Sequence, residues 1–252
     1  MLLLTGVAKP ALTDCSCHAR SARGCYRPCA TVGAIVYAFS MQLHNYFRSS
    51  ASYRVRIALE LKGLQYEYAA IHIARGDHKK TPYTALSADT LVPLLEVDGE
   101  KLSQSMAIIE YLDEKYPTPA LLPADSVGRA RVRALAQSIA CDIHPINNLR
   151  IIKYLVTELK LEDAAKNAWY SHWCREGLEA FERQLAQRPA STFCHGDLPT
   201  LADCCLAPQI FNAHRFNVSV EGLPRTMAAY AACMALPAFQ KAHPSNCPDF
   251  EP

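Results

Sequence analysis

Two adjacent hydroxyl side chains, Ser49 and Ser50, lie where an apolar helical pattern begins, and Gly63 ends that pattern. The N-terminus of a helix carries unpaired N–H groups and the positive end of the helix dipole, and a serine hydroxyl can donate one more hydrogen bond there. Such a position suits an anion, for example a thiolate. The same serines could also act only as a helix cap, and their spacing alone does not decide between the two roles.

A thiolate held at this position would have to come from a ligand. The first helix begins with Ser-Ser-Ala-Ser over residues 49–52, whereas disulfide exchange by the protein's own thiols needs Cys-x-x-Cys there. A thiol with a pKa of about 8.5 is only roughly 3% ionised at pH 7. Lowering that pKa by about two units, which corresponds to about 2.7 kcal/mol, makes roughly three quarters of the thiol a thiolate.

The elements around these serines follow the order βαβ, loop, ββα, which is that of a small thioredoxin-like domain. Runs with strand character occupy residues 42–46, 66–73, 91–97 and 101–103. Pro93 interrupts the third run and indicates an edge strand or a cis turn. Asp98 and Gly99 predict a hairpin between the third and fourth runs, and Ser105 begins the second helix.

Strand patterns almost vanish after a linker that contains Pro117, Pro119 and Pro123. Apolar residues at helical spacing from Val132 onward predict a long helix, which Pro145 should kink or break. The sequence therefore predicts an α/β domain over residues 41–122, followed by an all-helical domain over residues 123–252.

A later helix start is predicted at Thr200, because Thr200 and Asp203 match the pattern Ser/Thr-x-x-Asp/Glu. The helix is expected to continue through Phe211, and Asp203 is expected to be structural. Three cysteines of this region are expected to be buried thiols that act as small apolar groups, namely Cys194, Cys204 and Cys205.

The first forty residues differ from the rest in composition. They hold four of the 11 Cys, carry a net charge of +3 and show no sustained helical or strand period. The preferred interpretation is a disordered extension, or a start assigned too early with Met41 as the first residue. An organellar presequence is a second interpretation. A zinc site is a third, with the ligands Cys15, Cys17, His18, Cys25 and Cys29.

The composition of the whole chain excludes several classes of function. A formal charge of +2 over 252 residues gives no general electrostatic case for binding nucleic acid or a membrane surface. No apolar run approaches 18 residues, so no spanning helix is predicted. An odd number of Cys in a chain of this size indicates a reducing, cytoplasmic compartment and not a disulfide framework.

Residues 47–59 resemble a signature of the zeta-class glutathione transferases, Ser-Ser-Cys-Ser-x-Arg-Val-Arg-Ile-Ala-Leu. The resemblance continues in order to about residue 250, through the segments 91–93, 104–112, 117–119, 141–150, 199–203 and 208–209. The segment 141–150 is similar to the bacterial isomerases of the class in particular. The resemblance implies the glutathione transferase fold, glutathione as cofactor and a homodimer. The usual Cys of the family is Ala51 here, which implies that the sulfur of glutathione is the nucleophile.

The resemblance also implies roles for ten residues. Ser49 and Ser50 would stabilise the thiolate, and Val92 would pair with the cysteinyl unit through its backbone. The whole glutathione-binding set is Ser49, Ser50, Val92, Gln104, Ser105, His144 and Asn148. The substrate-binding set is Arg48, Arg150 and Arg215. Simpler explanations remain open: a strand end and cap for Gln104 and Ser105, a core histidine for His144, and solvated surface charges for the arginines.

The implied activity is cis–trans isomerisation of a small conjugated dicarboxylate, maleylacetoacetate to fumarylacetoacetate, in tyrosine and phenylalanine catabolism. Leu149 favours this substrate over maleylpyruvate, for which an arginine would suit that position. A conjugating transferase, a haloacid dehalogenase and a non-catalytic binding module on the same fold are also compatible with the resemblance. The joint presence of Ser49, Gln104 and Ser105 argues against the binding module.

Overall fold

The computed structural model describes residues 41–251. Its first half contains a four-stranded mixed sheet. The strands are β1 (Gln42–Asn45), β2 (Glu67–Ala70), β3 (Leu94–Val97) and β4 (Glu100–Ser103). They lie in the order β2-β1-β3-β4, with β1 parallel to β2 and antiparallel to β3. The sheet confirms the βαβ, loop, ββα order of a thioredoxin-like domain. The predictions for residues 1–40 lie outside the described residues.

The peptide bond between Val92 and Pro93 is cis, as the sequence predicted for a turn shaped by this proline. The prediction of an edge strand is wrong, because β3 pairs with β1 on one side and with β4 on the other. Pro93 lies just before β3, so its missing N–H removes no hydrogen bond from the ladder. Asp98 and Gly99 both have positive φ, of 53° and 82°, which matches the predicted two-residue hairpin.

Nine α-helices surround and extend this sheet within residues 41–251. Those of the first half are α1 (Ser50–Leu61), α2 (Tyr83–Leu86) and α3 (Ser105–Lys115). Those of the second half are α4 (Ser126–Gln137), α5 (Leu149–Thr157), α6 (Asp163–Ala186), α7 (Leu201–Arg215), α8 (Pro224–Met234) and α9 (Pro237–Ala242). No strand follows β4 in the described chain, which agrees with the prediction of a helical second half.

Helix α1 is buried between the sheet domain and the helical part, and it packs against α3, α7 and α9. Ser49 is its N-cap, and the Ser49 Oγ accepts a hydrogen bond from the backbone N–H of Ser52 at 3.2 Å. The helix ends where predicted, since Gly63 follows with a φ of +64°.

The helix predicted from Val132 breaks before Pro145, as expected, but it does so gradually. A π-helical turn over Ser138–Ile143 follows α4, and a 3₁₀ turn begins at Pro145. This turn packs closely on α6, where a Cβ added to Gly177 would lie 2.3 Å from Ile143 Cγ1. His144 directly follows the π-helical turn.

Helix α7 begins with the predicted capping box, in which Thr200 and Asp203 bond each other's backbone. Asp203 is fully buried and also accepts a hydrogen bond from the backbone N–H of Cys194 at 2.9 Å, so its contacts are structural. Cys194, Cys204 and Cys205 are buried, and burial raises the pKa of each thiol, in Cys205 to about 11. They are neutral apolar groups, as predicted. Within residues 41–251, no helix combines the length and apolarity needed to cross a bilayer.

Candidate active site

The two predicted catalytic serines at the start of α1 differ in what their hydroxyls contact. Ser49 is half-buried, and its oxygen caps the helix, which leaves the hydroxyl proton available to a ligand. Ser50 is buried, and its Oγ accepts a hydrogen bond from Asn212 Nδ2 on α7 at 2.5 Å. Ser50 therefore joins α1 to the helical part, whereas Ser49 lies at the more accessible position.

Two predicted substrate-binding arginines lie beside this helix start. Arg48 is exposed, donates from Nη2 to the backbone oxygen of Glu251 at 3.1 Å and lies 5.0 Å from the centre of the Phe47 ring. Arg215 ends α7, and surrounding protein atoms lower the pKa of its guanidinium, with a further lowering by the Arg48 charge. The two guanidinium groups thus act on each other electrostatically, so two positive charges lie near the start of α1.

The N-terminus of α3 carries the predicted pair Gln104 and Ser105. Gln104 is exposed and has a φ of 68° and a ψ of 111°, a conformation that side chains rarely adopt and that often marks a functional site. Ser105 is buried, and its Oγ accepts a hydrogen bond from Arg54 Nη1 at 3.3 Å. Val92, which precedes the cis proline, packs against the cluster that contains Tyr46 and Phe47.

The predicted residues of the helical half lie where the chain turns after α4. Burial lowers the pKa of His144 to about 3, and the charges of Arg54 and Arg150 add to this effect. His144 is therefore a neutral imidazole at physiological pH. Asn148 caps α5, because its Oδ1 accepts hydrogen bonds from the backbone N–H groups of Arg150 and Ile151, at 3.0 and 3.3 Å. This bonding leaves the amide N–H₂ of Asn148 available to a ligand.

The structure brings the predicted residues into two groups. The first contains Arg48, Ser49, Ser50 and Arg215, at the start of α1 and the end of α7. The second contains Ser105, His144 and Arg150. Arg54 donates a hydrogen bond to Ser105, and the charges of Arg54 and Arg150 both act on His144. Two cavities of about 400 and 410 Å3 lie elsewhere and include none of the ten predicted residues in their lining.

The position of the family's usual cysteine is filled by half-buried Ala51 in the first turn of α1. Among residues 41–251, only Cys141 has an exposed thiol, and it lies on the π-helical turn. No group of three potential metal ligands occurs in the described part of the chain. The first turn of α1 therefore offers no thiol of its own beside Ser49.

Sequence reasoning missed Asn212, Arg54 and Asp249. Asn212 precedes Arg215 by three residues, so the helical spacing could have placed both on one face of α7. Arg54 follows Ser50 by four residues on α1, and the same rule would have applied. Asp249 accepts a hydrogen bond from the backbone N–H of Phe47 at 3.2 Å, and no local pattern signals this contact between distant residues.

Two family models match the chain. The glutathione S-transferase N-terminal domain matches residues 43–120, and the glutathione S-transferase C-terminal domain matches residues 164–236. Among curated proteins, a maleylpyruvate isomerase of Ralstonia sp is 50% identical over 210 residues, which are 83% of this chain and 99% of the relative. A probable maleylacetoacetate isomerase of Vibrio cholerae is 47% identical over 213 residues, which are 83% of this chain and 98% of the relative.

Solved structures give the same picture. The holo structure of a maleyl pyruvate isomerase, described as a bacterial zeta-class glutathione-S-transferase, is 49% identical with a TM-score of 0.82 and covers 83% of this chain and 100% of its own. A maleylacetoacetate isomerase of Anaeromyxobacter dehalogenans with dicarboxyethyl glutathione and citrate in its active site is 41% identical with a TM-score of 0.75. That match covers 84% of this chain and 98% of the other.

Proposed function

Since this chain belongs to the zeta class of the glutathione S-transferase family, we propose that it is an enzyme that isomerises maleylacetoacetate to fumarylacetoacetate with glutathione as cofactor. The observation that carries the proposal is the half-buried Ser49 hydroxyl at the N-terminus of α1, with the guanidinium groups of Arg48 and Arg215 beside it and Ala51 in place of a thiol. These groups can hold a thiolate and a dicarboxylate at one place.

The residues present fit glutathione. The tripeptide has a thiol and a γ-glutamyl carboxylate, and the site offers the N-terminus of α1 for the first and that of α3 for the second. Behind Ser105 lies the buried guanidinium of Arg54, whose Nε and Nη2 have no partner within the described residues. An unpaired buried cation at a helix N-terminus supports the binding of an anion there.

The residues of this chain would divide the catalytic work as follows. When bound, glutathione supplies the thiolate that adds to the cis double bond and leaves again after rotation about the resulting single bond. Ser49 and the α1 dipole lower the pKa of that thiol by stabilising its anion. Arg48, Arg150 and Arg215 bind the substrate carboxylates, orient the double bond and stabilise the negative charge that develops on the neighbouring carbonyl oxygen.

Maleylpyruvate is a second candidate substrate, because the Ralstonia relative, 50% identical, is named for its isomerisation. The residue that favours the longer substrate is Leu149, the partly exposed first residue of α5 and the neighbour of Arg150. An arginine at this position would add a second guanidinium for a carboxylate of the shorter substrate.

The test is a comparison of kcat/KM for maleylacetoacetate and maleylpyruvate at saturating glutathione. We expect a preference for maleylacetoacetate, and we expect Leu149→Arg to shift the ratio toward maleylpyruvate by about tenfold. Leu149→Met is the matched control and should leave the ratio unchanged. A wild-type preference for maleylpyruvate would show that maleylpyruvate, and not maleylacetoacetate, is the substrate. A failure to bind glutathione in calorimetry would contradict both proposed activities.

We further infer that the enzyme is a cytoplasmic homodimer that acts in tyrosine and phenylalanine catabolism. The described cysteines are all free thiols, and only Cys141 among them is exposed. Free thiols are typical of a reducing compartment, which supports this location. Light scattering of the full chain measures the assembly, and a monomer at micromolar concentration would contradict the dimer.

A further inference from the structure

Two buried arginines on α1 have opposite surroundings. Arg54 and Arg56 are 3% and 1% exposed, so both guanidinium groups have lost nearly all contact with water. The Arg56 guanidinium is well satisfied within the described residues: its acceptors are Ala242 O at 3.1 Å, Asn45 Oδ1 at 3.0 Å, Tyr46 O at 3.4 Å and Phe47 O at 3.1 Å. This arginine ties α1 to the loop before it and to α9, which is a structural role.

The Arg54 guanidinium has one bond, from Nη1 to the Oγ of Ser105 at 3.3 Å. Its Nε and Nη2 are buried without a hydrogen-bond partner, and no carboxylate of the described residues pairs with it. A buried charge in this condition is costly, and folded proteins rarely keep one without a reason. Since Arg56, two residues away, has four acceptors, the packing of α1 does not force a guanidinium to remain unsatisfied.

The direction of the Arg54 side chain indicates why the protein keeps this under-satisfied guanidinium. The guanidinium lies behind the N-terminus of α3, a helix of 11 residues, and its single bond occupies a lone pair of the Ser105 oxygen. The Ser105 hydroxyl proton is then left to donate to a ligand. The positive charge of Arg54 adds to the dipole of α3 at the same place.

Deepening the proposed function, on which it rests, we infer that Arg54 is a positioning residue for glutathione: through Ser105, it prepares the N-terminus of α3 for the γ-glutamyl carboxylate. Arg54 orients the hydroxyl that donates to the carboxylate and supplies a fixed positive charge behind it. The free protein bears the cost of an under-satisfied cation, and binding of the anion compensates it.

The test is Arg54→Met, which keeps an unbranched apolar stem and removes the charged guanidinium. We expect the Kd and the KM for glutathione to rise about tenfold or more, with the KM for the dicarboxylate unchanged. Cysteinylglycine has the same thiol but no γ-glutamyl carboxylate, so kcat/KM measured with it in place of glutathione should not change. The unliganded variant should melt at the same or a higher temperature than wild type, because an unpaired buried charge has been removed.

Arg56→Met is the matched control on the same helix. It should lower the melting temperature and affect the reactions of both thiols equally, because its four acceptors lose their donor. Ser105→Ala should reproduce the selective loss for glutathione, and the Arg54→Met/Ser105→Ala double variant should lose little more than either single variant, since one acts through the other.

An unchanged glutathione affinity in Arg54→Met would overturn the inference, and so would an equal loss with glutathione and cysteinylglycine. Misfolding of Arg54→Met would also overturn it, because the guanidinium would then be structural like that of Arg56. A wild-type protein that binds no glutathione would instead refute the proposed function itself, and the two failures are told apart by the wild-type calorimetry.

Discussion

At the scale of single residues, the hydroxyls of Ser49 and Ser50 make different contacts, although the sequence predicted the same role for both. Ser50 is buried and accepts a hydrogen bond from Asn212 on α7, which holds α1 against the helical part. Ser49 accepts the Ser52 N–H and keeps its own proton for a ligand. The geometry therefore supports Ser49 as the donor to the thiolate and Ser50 as its anchor.

Replacing Ser49 with alanine should lower kcat by roughly 10²–10³-fold, because a preorganised donor to the reacting anion is lost. The pKa of the bound glutathione thiol should rise, which the ultraviolet absorbance of the thiolate measures as a function of pH. The lost cap should also cost about 1 kcal/mol of stability.

Ser50→Ala is the control for this prediction. It should reduce thermal stability through the loss of the Asn212 bond and shift the pKa of the bound thiol less than Ser49→Ala does. An unchanged turnover in Ser49→Ala would remove Ser49 from the mechanism.

At the scale of elements, the sequence predicted the order of strands and helices well and their lengths less well. The strand expected over residues 66–73 is limited to β2, Glu67–Ala70, because β1 offers only the four partners Gln42–Asn45. Periodicity reports which residues could be extended, and the partner strand decides how many of them pair. The break before Pro145 was predictable, because proline lacks a backbone N–H and its ring clashes with the preceding turn of a helix.

The π-helical turn over Ser138–Ile143 was not predictable, because it depends on packing between elements distant in sequence. Helix α6 approaches the turn at Gly177, where the absence of a side chain leaves room for Ile143. His144, a predicted site residue, directly follows this turn. A pattern within one helix cannot report it.

Gly177→Ala tests this arrangement, since the new Cβ would lie 2.3 Å from Ile143 Cγ1. Helix propensity alone would favour alanine by about 1 kcal/mol, so destabilisation would reveal the clash. We expect a net loss of about 1–3 kcal/mol in chemical denaturation and a raised KM for glutathione as His144 is displaced.

The compensating variant is Gly177→Ala combined with Ile143→Ala, which removes Ile143 Cγ1 and Cδ1, the two atoms that would lie within 3.0 Å of the new methyl. The KM for glutathione should recover in this double variant even where stability does not. A stabilised single variant with normal KM would contradict the proposed link between α6 and His144.

At the scale of the whole molecule, the last described residues return to the start of α1. Asp249 accepts hydrogen bonds from the Phe47 N–H, at 3.2 Å, and from the Tyr68 hydroxyl. Phe250 packs edge-on against Phe47 at 5.6 Å between ring centres, and Glu251 gives its backbone oxygen to Arg48. The loop that precedes Ser49 is therefore held by the last residues of the described chain. The sequence offered no signal for it, because some two hundred residues separate the partners.

Asp249→Ala should lower kcat/KM for the dicarboxylate and cost about 1–3 kcal/mol of stability, because the buried Phe47 N–H loses its acceptor. Steady-state kinetics and chemical denaturation measure the two effects. The comparison is Glu251→Ala, which keeps the backbone oxygen that Arg48 uses and loses only the ion pairs with His72 and Arg75. That variant should stay within about 1 kcal/mol of wild type, and an equal effect of both changes would exclude a specific role for Asp249.

The bond between Phe47 and Asp249 also has a consequence for biosynthesis. Domains generally fold in the order in which they emerge from the ribosome, so the sheet and α1 can form early. The loop before Ser49 gains its last backbone partner only after residue 249 has left the ribosomal exit tunnel. A nascent chain of this protein thus forms its sheet and α1 first and completes the loop before Ser49 last.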